Sequence, residues 1–211
     1  MLVLMPMARK IIPLVTGEKY HLFNRGVDKR TVFEDKTDFL RFYQTLSLFN
    51  TEDPIVNYSS ALVQRCDTSK KLVQIESYCL LPNHFHLLVT QLIDGGISEF
   101  MKRVSVGHTG YFNEKYERSG SLFQGVFKRV LVDSDQQYNY LFAYINENYF
   151  VHDIKPLPSE IIYTSSLYYQ GIMRSKLLPE KVGGYDLAAN RSLACGIFDR
   201  RKTLKSILFE S

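Results

Sequence analysis

Two histidines separated by a single residue are the clearest chemical feature of this sequence. His84 and His86 lie in the run 79–89 (CLLPNHFHLLV), which is otherwise mostly apolar. Successive side chains of a β-strand point to opposite faces of the sheet, so the two imidazoles share one face, while Phe85 and Leu87 share the other. Because imidazole is a common ligand of divalent metal ions, the pair predicts part of a metal site or, alternatively, two hydrogen-bonded histidines of a sheet.

A tyrosine and an asparagine sixty residues further along could complete such a site. Tyr144 and Asn148 are four residues apart in a segment with helical periodicity, so their side chains share a face, one turn apart. If this face covers the histidine pair, Asn148 adds an oxygen ligand and Tyr144 places a phenol beside the metal. An ion held in this way keeps coordination positions for phosphate oxygens and water. A tyrosine hydroxyl can then act as the nucleophile, because the metal polarises the phosphate.

The spacing alone leaves other roles open for both residues. The chain has 14 tyrosines, and Tyr144 can also be a core tyrosine, with Tyr140 one turn earlier as a competing nucleophile. Asn148 stands near the predicted end of its helix, where it can serve as a C-cap. We expect His21 and His108 to be structural, since both fall in apolar periodic runs.

The elements that must position these residues follow one another in a recognisable order. Period-two patterns predict strands over 18–24, 72–81, 85–92 and, interrupted by Gly125, over 122–132. Three-and-four spacing predicts helices over 36–49, 97–112 and from 135 to about 150. Pro82 and Asn83 mark a turn between the second and third strands. The order βαββαβα predicts an α+β fold, with a ferredoxin-like antiparallel sheet and helices on one face.

Several linked motifs resemble one known family, the REP-associated branch of the single-tyrosine HUH transposases. Residues 20–26 (YHLFNRG), 32–33 (VF) and 38–39 (DF) are similar to the start of that family, and 79–89 resembles its HUH strand. Similar too are 118–125 (RSGSLFQG), 144–148 (YINEN) and 163–168 (YTSSLY). The likeness extends from about residue 18 to residue 172 with the motifs in the right order. Each motif is weak by itself, but their combination makes the match specific.

The resemblance implies a metal-dependent enzyme that cuts and rejoins single-stranded, hairpin-forming DNA. In that family His84 and His86 would correspond to the paired metal ligands, Asn148 to the third ligand, and Tyr144 to the nucleophile that forms a 5′-phosphotyrosine link. The metal would be Mg²⁺ or Mn²⁺. Relatives work as monomers or homodimers. The family usually has proline after the asparagine, whereas Tyr149 follows here, so we expect the helix to end differently.

Basic and polar residues around the first and fourth strands are the candidate DNA contacts. Basic side chains neutralise phosphates, nearby aromatic rings stack on unpaired bases, and glycine lets the backbone approach DNA closely. A solvated surface position is the alternative for any single basic residue. The candidates are Arg25, Arg118, Gln124, Gly125, Lys128 and Arg129.

Composition and charge set wider limits on the protein. The chain has 211 residues, of which 45% are hydrophobic, and a net charge of +4, which suits a globular protein with a mild bias towards nucleic acid. Its cysteines, Cys66, Cys79 and Cys195, are widely spaced, which favours reduced thiols over a disulfide framework. No apolar stretch has the length of a membrane span. We therefore expect a cytoplasmic, nucleoid-associated protein.

The domain organisation and two alternative functions follow from the same patterns. We expect an N-terminal extension over 1–17, the catalytic domain over 18–150 and a C-terminal extension over 151–211. One alternative is an HUH replication initiator or relaxase, and another is a DNA-binding module that keeps the fold without cutting. A histidine-triad hydrolase would need a further histidine where the chain has Leu88. A zinc hydrolase would need an activating carboxylate, and only Glu76 on the neighbouring strand suggests one.

Overall fold

A four-stranded antiparallel sheet forms the centre of the computed structural model, which describes residues 13–55, 58–59, 70–152, 164–179 and 185–196. The strands are β1 (Lys19–Arg25), β2 (Val73–Leu81), β3 (His84–Gln91) and β4 (Lys128–Leu131), in the spatial order β2-β3-β1-β4. Helix α1 (Lys36–Leu48) connects β1 to β2, and helix α2 (Gly96–Lys115) connects β3 to β4. This order confirms the ferredoxin-like fold and makes β1 and β3 the central strands.

Shorter helices follow the last strand. Helix α3 (Asp135–Asn146) begins at Ser134, whose side chain accepts a hydrogen bond from Gln137 N, as expected of an N-cap. The predicted helix to about residue 150 is interrupted at Glu147 and continues as α4 (Asn148–Val151). Helix α5 (Ser166–Tyr169) and a helical segment over 187–196 belong to the C-terminal part.

Helices α1 and α2 cover one face of the sheet, as predicted. Leu22 of β1 and Phe85 of β3 point to this face and are fully buried there against Phe42 of α1 and Phe100 of α2. Period-two alternation along the strands and three-and-four spacing along the helices bring these side chains into one core.

Helix α3 lies on the opposite face of the sheet, so the expectation of helices on one face is right for α1 and α2 only. Cys79, Leu81 and Leu88 of the strands pack there against Leu141 and Ile145 of α3. Without this helix an apolar sheet surface would remain in water, and its burial favours the second layer by roughly 25 cal/mol per Å². The histidine pair shares this face.

The predicted fourth strand over 122–132 is shorter than expected. Only Lys128–Leu131 pairs with β1, and residues 122–127 form a loop. Gly120 and Gly125 adopt positive φ values of 84° and 70°, a backbone conformation that ends regular strand geometry and that glycine adopts without strain. An isolated bridge between Gly26 and Phe123 still ties the loop to the end of β1.

The described part of the C-terminal extension packs on the sheet and its helices. Thr164 forms an isolated bridge with Cys79 of β2, and Leu177 and Leu178 are buried in the core beneath α1 and α2. Cys79 and Cys195 are free thiols, whereas Cys66 lies outside the described residues. No helix in the described ranges combines the length and apolar character needed to cross a membrane. The proposed division into three segments remains a prediction.

Candidate active site

The two histidines of β3 lie side by side on the face that α3 covers. His84 pairs with Arg25 of β1 and His86 pairs with Phe23, so all four side chains share this face. The imidazole centroids are 5.1 Å apart, with the rings nearly perpendicular. Since β3 is a central strand, its backbone is fixed by hydrogen bonds on both sides, and the pair has a rigid base.

Each histidine of the pair has its Nδ1 atom engaged by a neighbouring side chain. His84 Nδ1 donates to Asn83 Oδ1 at 2.6 Å, while Asn83 Nδ2 donates to Lys29 O at 3.1 Å and so fixes the orientation of the amide. His86 Nδ1 lies 2.8 Å from Nε2 of His21. Nε2 is then the nitrogen through which each ring can bind a metal ion, the arrangement usual for histidine ligands.

His84 is electrically neutral at physiological pH. Burial, assisted by the neighbouring His152 and Arg25, lowers the pKa of His84 to about 4. A metal ion binds only the neutral imidazole, so this environment keeps His84 ready to act as a ligand.

Helix α3 brings Tyr144 to the histidine pair. The Tyr144 ring stands edge-on to the His86 ring, with a centroid distance of 5.6 Å, and the residue is only 6% exposed. Leu141 and Ile145 anchor the helix on the sheet, and this anchoring sets the height of the Tyr144 ring above β3. Tyr140, the competing tyrosine, lines a separate depression beside the 187–196 segment.

Asn148 carries a fully buried side-chain amide. Both side-chain atoms, Oδ1 and Nδ2, are inaccessible to solvent and make no hydrogen bond within the described part of the chain. An unpaired buried amide costs about 1–3 kcal/mol, so an oxygen in this state is well suited to a metal ligand. The described residues contain no group of three or more His, Cys, Asp or Glu arranged to hold a metal.

A cleft of about 410 Å³ opens over the histidine pair. Arg25 and Lys128, both exposed, give it positive charge, which suits a phosphate backbone. Gln124 is held at its rim because Gln124 N donates to Arg25 O at 2.8 Å. The lining residues come from β1, β3, β4, α3 and the segments next to them: Phe23, Asn24, Arg25, His84, His86, Gln124, Lys128, Tyr144 and His152.

Three of the predicted DNA contacts, as well as Asn148, do not line this cleft. Arg129 alternates with Lys128 on β4 and pairs with Leu22, so it points to the α1 and α2 side of the sheet. Arg118 donates to Asn113 Oδ1 and Ser121 O and braces the loop after α2. Gly125 lies just beyond the rim, where its carbonyl accepts a hydrogen bond from Asn24 Nδ2.

Several residues of the site were missed by sequence reasoning. His152 follows Asn148 by four residues, and this spacing was sufficient to place it near the same face; its ring lies 5.7 Å from that of His84. The sequence pattern places Asn83 in a turn and predicts only a structural role for His21. Glu76, the carboxylate that a zinc hydrolase would use, accepts a hydrogen bond from Thr90 and forms an ion pair with Lys19. His108 is structural as expected, buried and bonded to Val32 O.

A buried acid fixes the end of the tyrosine helix to the C-terminal part. Glu147 is fully buried, and its carboxylate accepts hydrogen bonds from Ser166 (2.6 Å) and Tyr185 (2.5 Å). Arg191 Nε completes the set at 3.0 Å from Glu147 Oε2. Asn148 directly follows Glu147 and Tyr144 lies about one turn before it, so these contacts hold the segment that carries both residues.

Comparisons with known proteins identify a family and a similar fold. The family model described as "Transposase IS200 like" matches residues 15–148. A solved structure of a REP-associated tyrosine transposase bound to a REP hairpin has a similar fold, with a TM-score of 0.51 and 11% sequence identity over 84% of this chain and 100% of that one. No curated protein matches the sequence. Because the family model spans more than half of the chain and includes the histidine pair and Tyr144, the chain belongs to the IS200-like transposase family.

Proposed function

We propose that the protein is a single-tyrosine HUH strand transferase that cleaves and rejoins single-stranded DNA at hairpin-forming sites. The observation that carries the proposal is the position of the Tyr144 ring beside His86, within a cleft that also contains Arg25 and Lys128. A phenol, an imidazole pair and two cations in one cleft suit an attack on a phosphodiester.

Tyr144 acts as the nucleophile in this proposal. Its hydroxyl oxygen attacks the phosphorus, the phenol proton passes to solvent, and the bond from phosphorus to the 3′ oxygen breaks. The leaving oxygen takes up a proton and becomes a 3′-hydroxyl, while the 5′ strand stays linked to Tyr144. In the second step a 3′-hydroxyl of another strand attacks the phosphotyrosine, and Tyr144 regains a proton. One phosphodiester is broken and one is formed, so no external energy source is required.

His84, His86 and Asn148 would hold a Mg²⁺ or Mn²⁺ ion. Such an ion would polarise the phosphate and stabilise the negative charge that develops in the transition state. Support comes from the neutral His84, from the engaged Nδ1 atoms of both histidines and from the unpaired amide of Asn148. Mixed nitrogen and oxygen ligands suit Mn²⁺ as well as Mg²⁺.

The nucleic-acid partner is assigned to hairpin-forming single strands of the REP type. The similar solved structure is bound to a REP hairpin, and the present cleft offers Arg25 and Lys128 for phosphates and Gln124 for a base edge. Because one chain supplies both the imidazoles and the phenol, a monomer contains all the groups that this reaction needs.

A covalent-adduct assay tests the proposal. Wild-type protein, Mn²⁺ and a labelled single-stranded hairpin are expected to give an adduct that migrates with the protein on a denaturing gel. The variant Tyr144→Phe should form none, whereas Tyr140→Phe, a matched control one turn away, should form it at the wild-type rate.

The outcomes of this assay distinguish the alternatives. Binding of the hairpin by wild-type protein without any adduct would indicate a DNA-binding module and overturn the enzyme proposal. If Tyr144→Phe still formed the adduct and Tyr140→Phe did not, the nucleophile would be Tyr140. Adding a second strand with a free 3′-hydroxyl separates a transposase from a plain nickase, because only the former releases a joined product.

A further inference from the structure

The contact between His21 and His86 is the strongest unexplained feature of the site. His21 of β1 and His86 of β3 are diagonal neighbours on the same face of the sheet, because His86 pairs with Phe23 and His21 pairs with Leu88. Both side chains are buried, with 4% and 7% of their residue surfaces exposed. Nε2 of His21 and Nδ1 of His86 are 2.8 Å apart, so one of the two rings donates a hydrogen bond to the other.

We propose that His21 is a positioning residue. Its Nε2 accepts a hydrogen bond from Nδ1–H of His86 and thereby selects the His86 tautomer whose Nε2 can bind a metal ion. This inference rests on the proposed metal-dependent function. A neutral imidazole carries its proton on only one nitrogen, and a ring that is protonated on Nε2 cannot use that nitrogen as a ligand. An acceptor beside Nδ1 keeps the proton on that nitrogen, and Nε2 then has a free lone pair for a metal ion.

The ring planes agree with a hydrogen bond between the two imidazoles. The His21 and His86 rings are 26° from coplanar with centroids 5.1 Å apart, so they meet edge to edge along the hydrogen bond, while His21 stacks on Phe23 at a centroid distance of 4.9 Å and an interplanar angle of 29°. Phe23 and His86 are themselves stacked at 5.8 Å. In this proposal the hydrogen bond selects the tautomer of His86, while the neighbouring Phe23 ring restricts rotation of the imidazole.

His21 differs in this respect from the other buried histidine outside the cleft. His108 lies in the core under α1 and α2, and its Nε2 bonds to a backbone carbonyl, Val32 O, at 2.8 Å. The partner of His21 is instead a side chain that lines the cleft. Asn83 has the matching position for His84, since its Oδ1 accepts from His84 Nδ1. Both acceptors are uncharged, so neither adds negative charge next to a DNA phosphate.

The first test reads the tautomer of His86 directly in the metal-free protein. Long-range ¹H–¹⁵N NMR spectra of wild-type protein should show a protonated Nδ1 and an unprotonated Nε2 for His86. In His21→Leu the acceptor is gone, and both tautomers should be populated. In His21→Gln the side-chain Oε1 can accept in place of Nε2, and the wild-type tautomer should be retained. A wild-type His86 protonated on Nε2 would overturn the proposal even if neither variant folds.

The second test measures Mn²⁺ affinity by calorimetry, without DNA. His21→Leu should bind Mn²⁺ about tenfold more weakly than wild type, as is typical when a contact behind a ligand is lost, and His21→Gln should recover most of the affinity. Wild-type affinity in a folded His21→Leu would contradict the positioning role. His86→Ala separates this result from the proposed function: if His86→Ala binds Mn²⁺ as tightly as wild type, the metal site itself is wrong, and the NMR experiment still decides what His21 does.

Discussion

Glu147 and Arg191 form an ion pair in which the carboxylate is completely buried, with 3.0 Å between Oε2 and Nε. Glu147 immediately follows the tyrosine helix, and Arg191 belongs to the segment over 187–196, so the C-terminal part of the chain holds the helix that carries Tyr144. The contact also includes Tyr149, whose hydroxyl accepts from Arg191 Nη2 at 3.0 Å.

Arg191→Met should therefore destabilise the protein. The buried carboxylate keeps its hydroxyl donors but loses its cation, and we expect the free energy of unfolding to fall by about 2–3 kcal/mol, less than for a fully buried pair because the arginine is partly exposed. Chemical denaturation measures this loss. Lys102→Met, which removes an exposed partner of Glu99, is the control and should change stability by less than about 0.5 kcal/mol. Equal effects of the two substitutions would contradict the inference that Arg191 stabilises the end of helix α3 through Glu147.

Asn148→Leu should stabilise the metal-free protein and weaken metal binding at the same time. The amide of Asn148 has no hydrogen bond to lose within the described residues, so an apolar side chain of similar volume removes an unpaired buried group. The melting temperature without metal should rise, and the Mn²⁺ affinity should fall at least tenfold.

Asn146→Leu is the matched control for that substitution. Its amide accepts a hydrogen bond from Ser165 and donates one to Phe142 O, so the same change should lower the melting temperature. If Asn148→Leu also lowered the melting temperature and left Mn²⁺ binding intact, Asn148 would be a structural residue.

Lys128→Ala and Arg129→Ala should differ in their effect on DNA binding. Adjacent residues of β4 point to opposite faces, and only Lys128 lines the cleft. Lys128→Ala should weaken binding to a single-stranded hairpin severalfold and reduce the slope of log affinity against log salt by about 1. Arg129→Ala should leave both quantities near wild type. A larger effect of Arg129 would mean that DNA lies on the other face of the sheet.

Mixing two inactive variants should not restore activity. Because Tyr144 lies against His86 of its own chain, the sites of Tyr144→Phe and His86→Ala are each incomplete, and neither protein can complete the other. The adduct assay with an equimolar mixture measures this. Recovery towards a quarter or more of wild-type activity would show that two chains exchange their tyrosine helices.

Asp38 should contribute to stability at neutral pH but not in acid. Burial opposes its charge, yet hydrogen bonds from Lys115, Tyr116, the backbone of Glu34 and Tyr111 lower the pKa of Asp38 below its ordinary value of 3.8. A carboxylate with a lowered pKa stabilises the folded state above the unfolded-state pKa, and this contribution is lost as the pH falls through the folded-state pKa.

Asp38→Asn tests this expectation by urea denaturation as a function of pH. At pH 7 the variant should lose about 2 kcal/mol, because the amide cannot accept all the donors that surround the carboxylate. The difference from wild type should shrink as the pH falls below about 4. Asp133→Asn, at an exposed position, should follow the wild-type curve throughout. A gap between wild type and Asp38→Asn that stays constant down to pH 2 would contradict the assignment.

Much of the fold was predictable because its patterns are local. Alternation along β1, β2 and β3 and helical spacing in α1 and α2 depend on residues close in sequence, and their order is that of a ferredoxin-like sheet. The segment over 122–127 was misassigned as strand. Its apolar residues fit a strand pattern, but the positive φ values at Gly120 and Gly125 and the bridge from Phe123 to Gly26 make it a loop.

The candidate site was predictable only in part. The spacing of Tyr144 and Asn148 showed that they share a helical face, but not which surface that face covers. Arg25, Gln124 and Lys128 reach the cleft, whereas Arg118 and Arg129 do not, and the difference depends on strand register and loop conformation. The four-residue spacing between Asn148 and His152 could have predicted that His152 lies near the site. No local pattern could have predicted the place of His21, since its contact with His86 requires the pairing of β1 with β3.

Local sequence pattern was enough to show that His84 and His86 share one face of a strand, because side chains of a strand alternate whatever surrounds them. The same local pattern showed the helix that carries Tyr144 and the motifs of the family. The packing of α3 on the histidine face, the contact of His21 with His86, and the orientation of Lys128 towards the cleft in place of Arg129 are visible only in the folded chain. Those relationships join segments far apart in the chain, and they are set by the burial of apolar surface and by strand register, which no local pattern specifies.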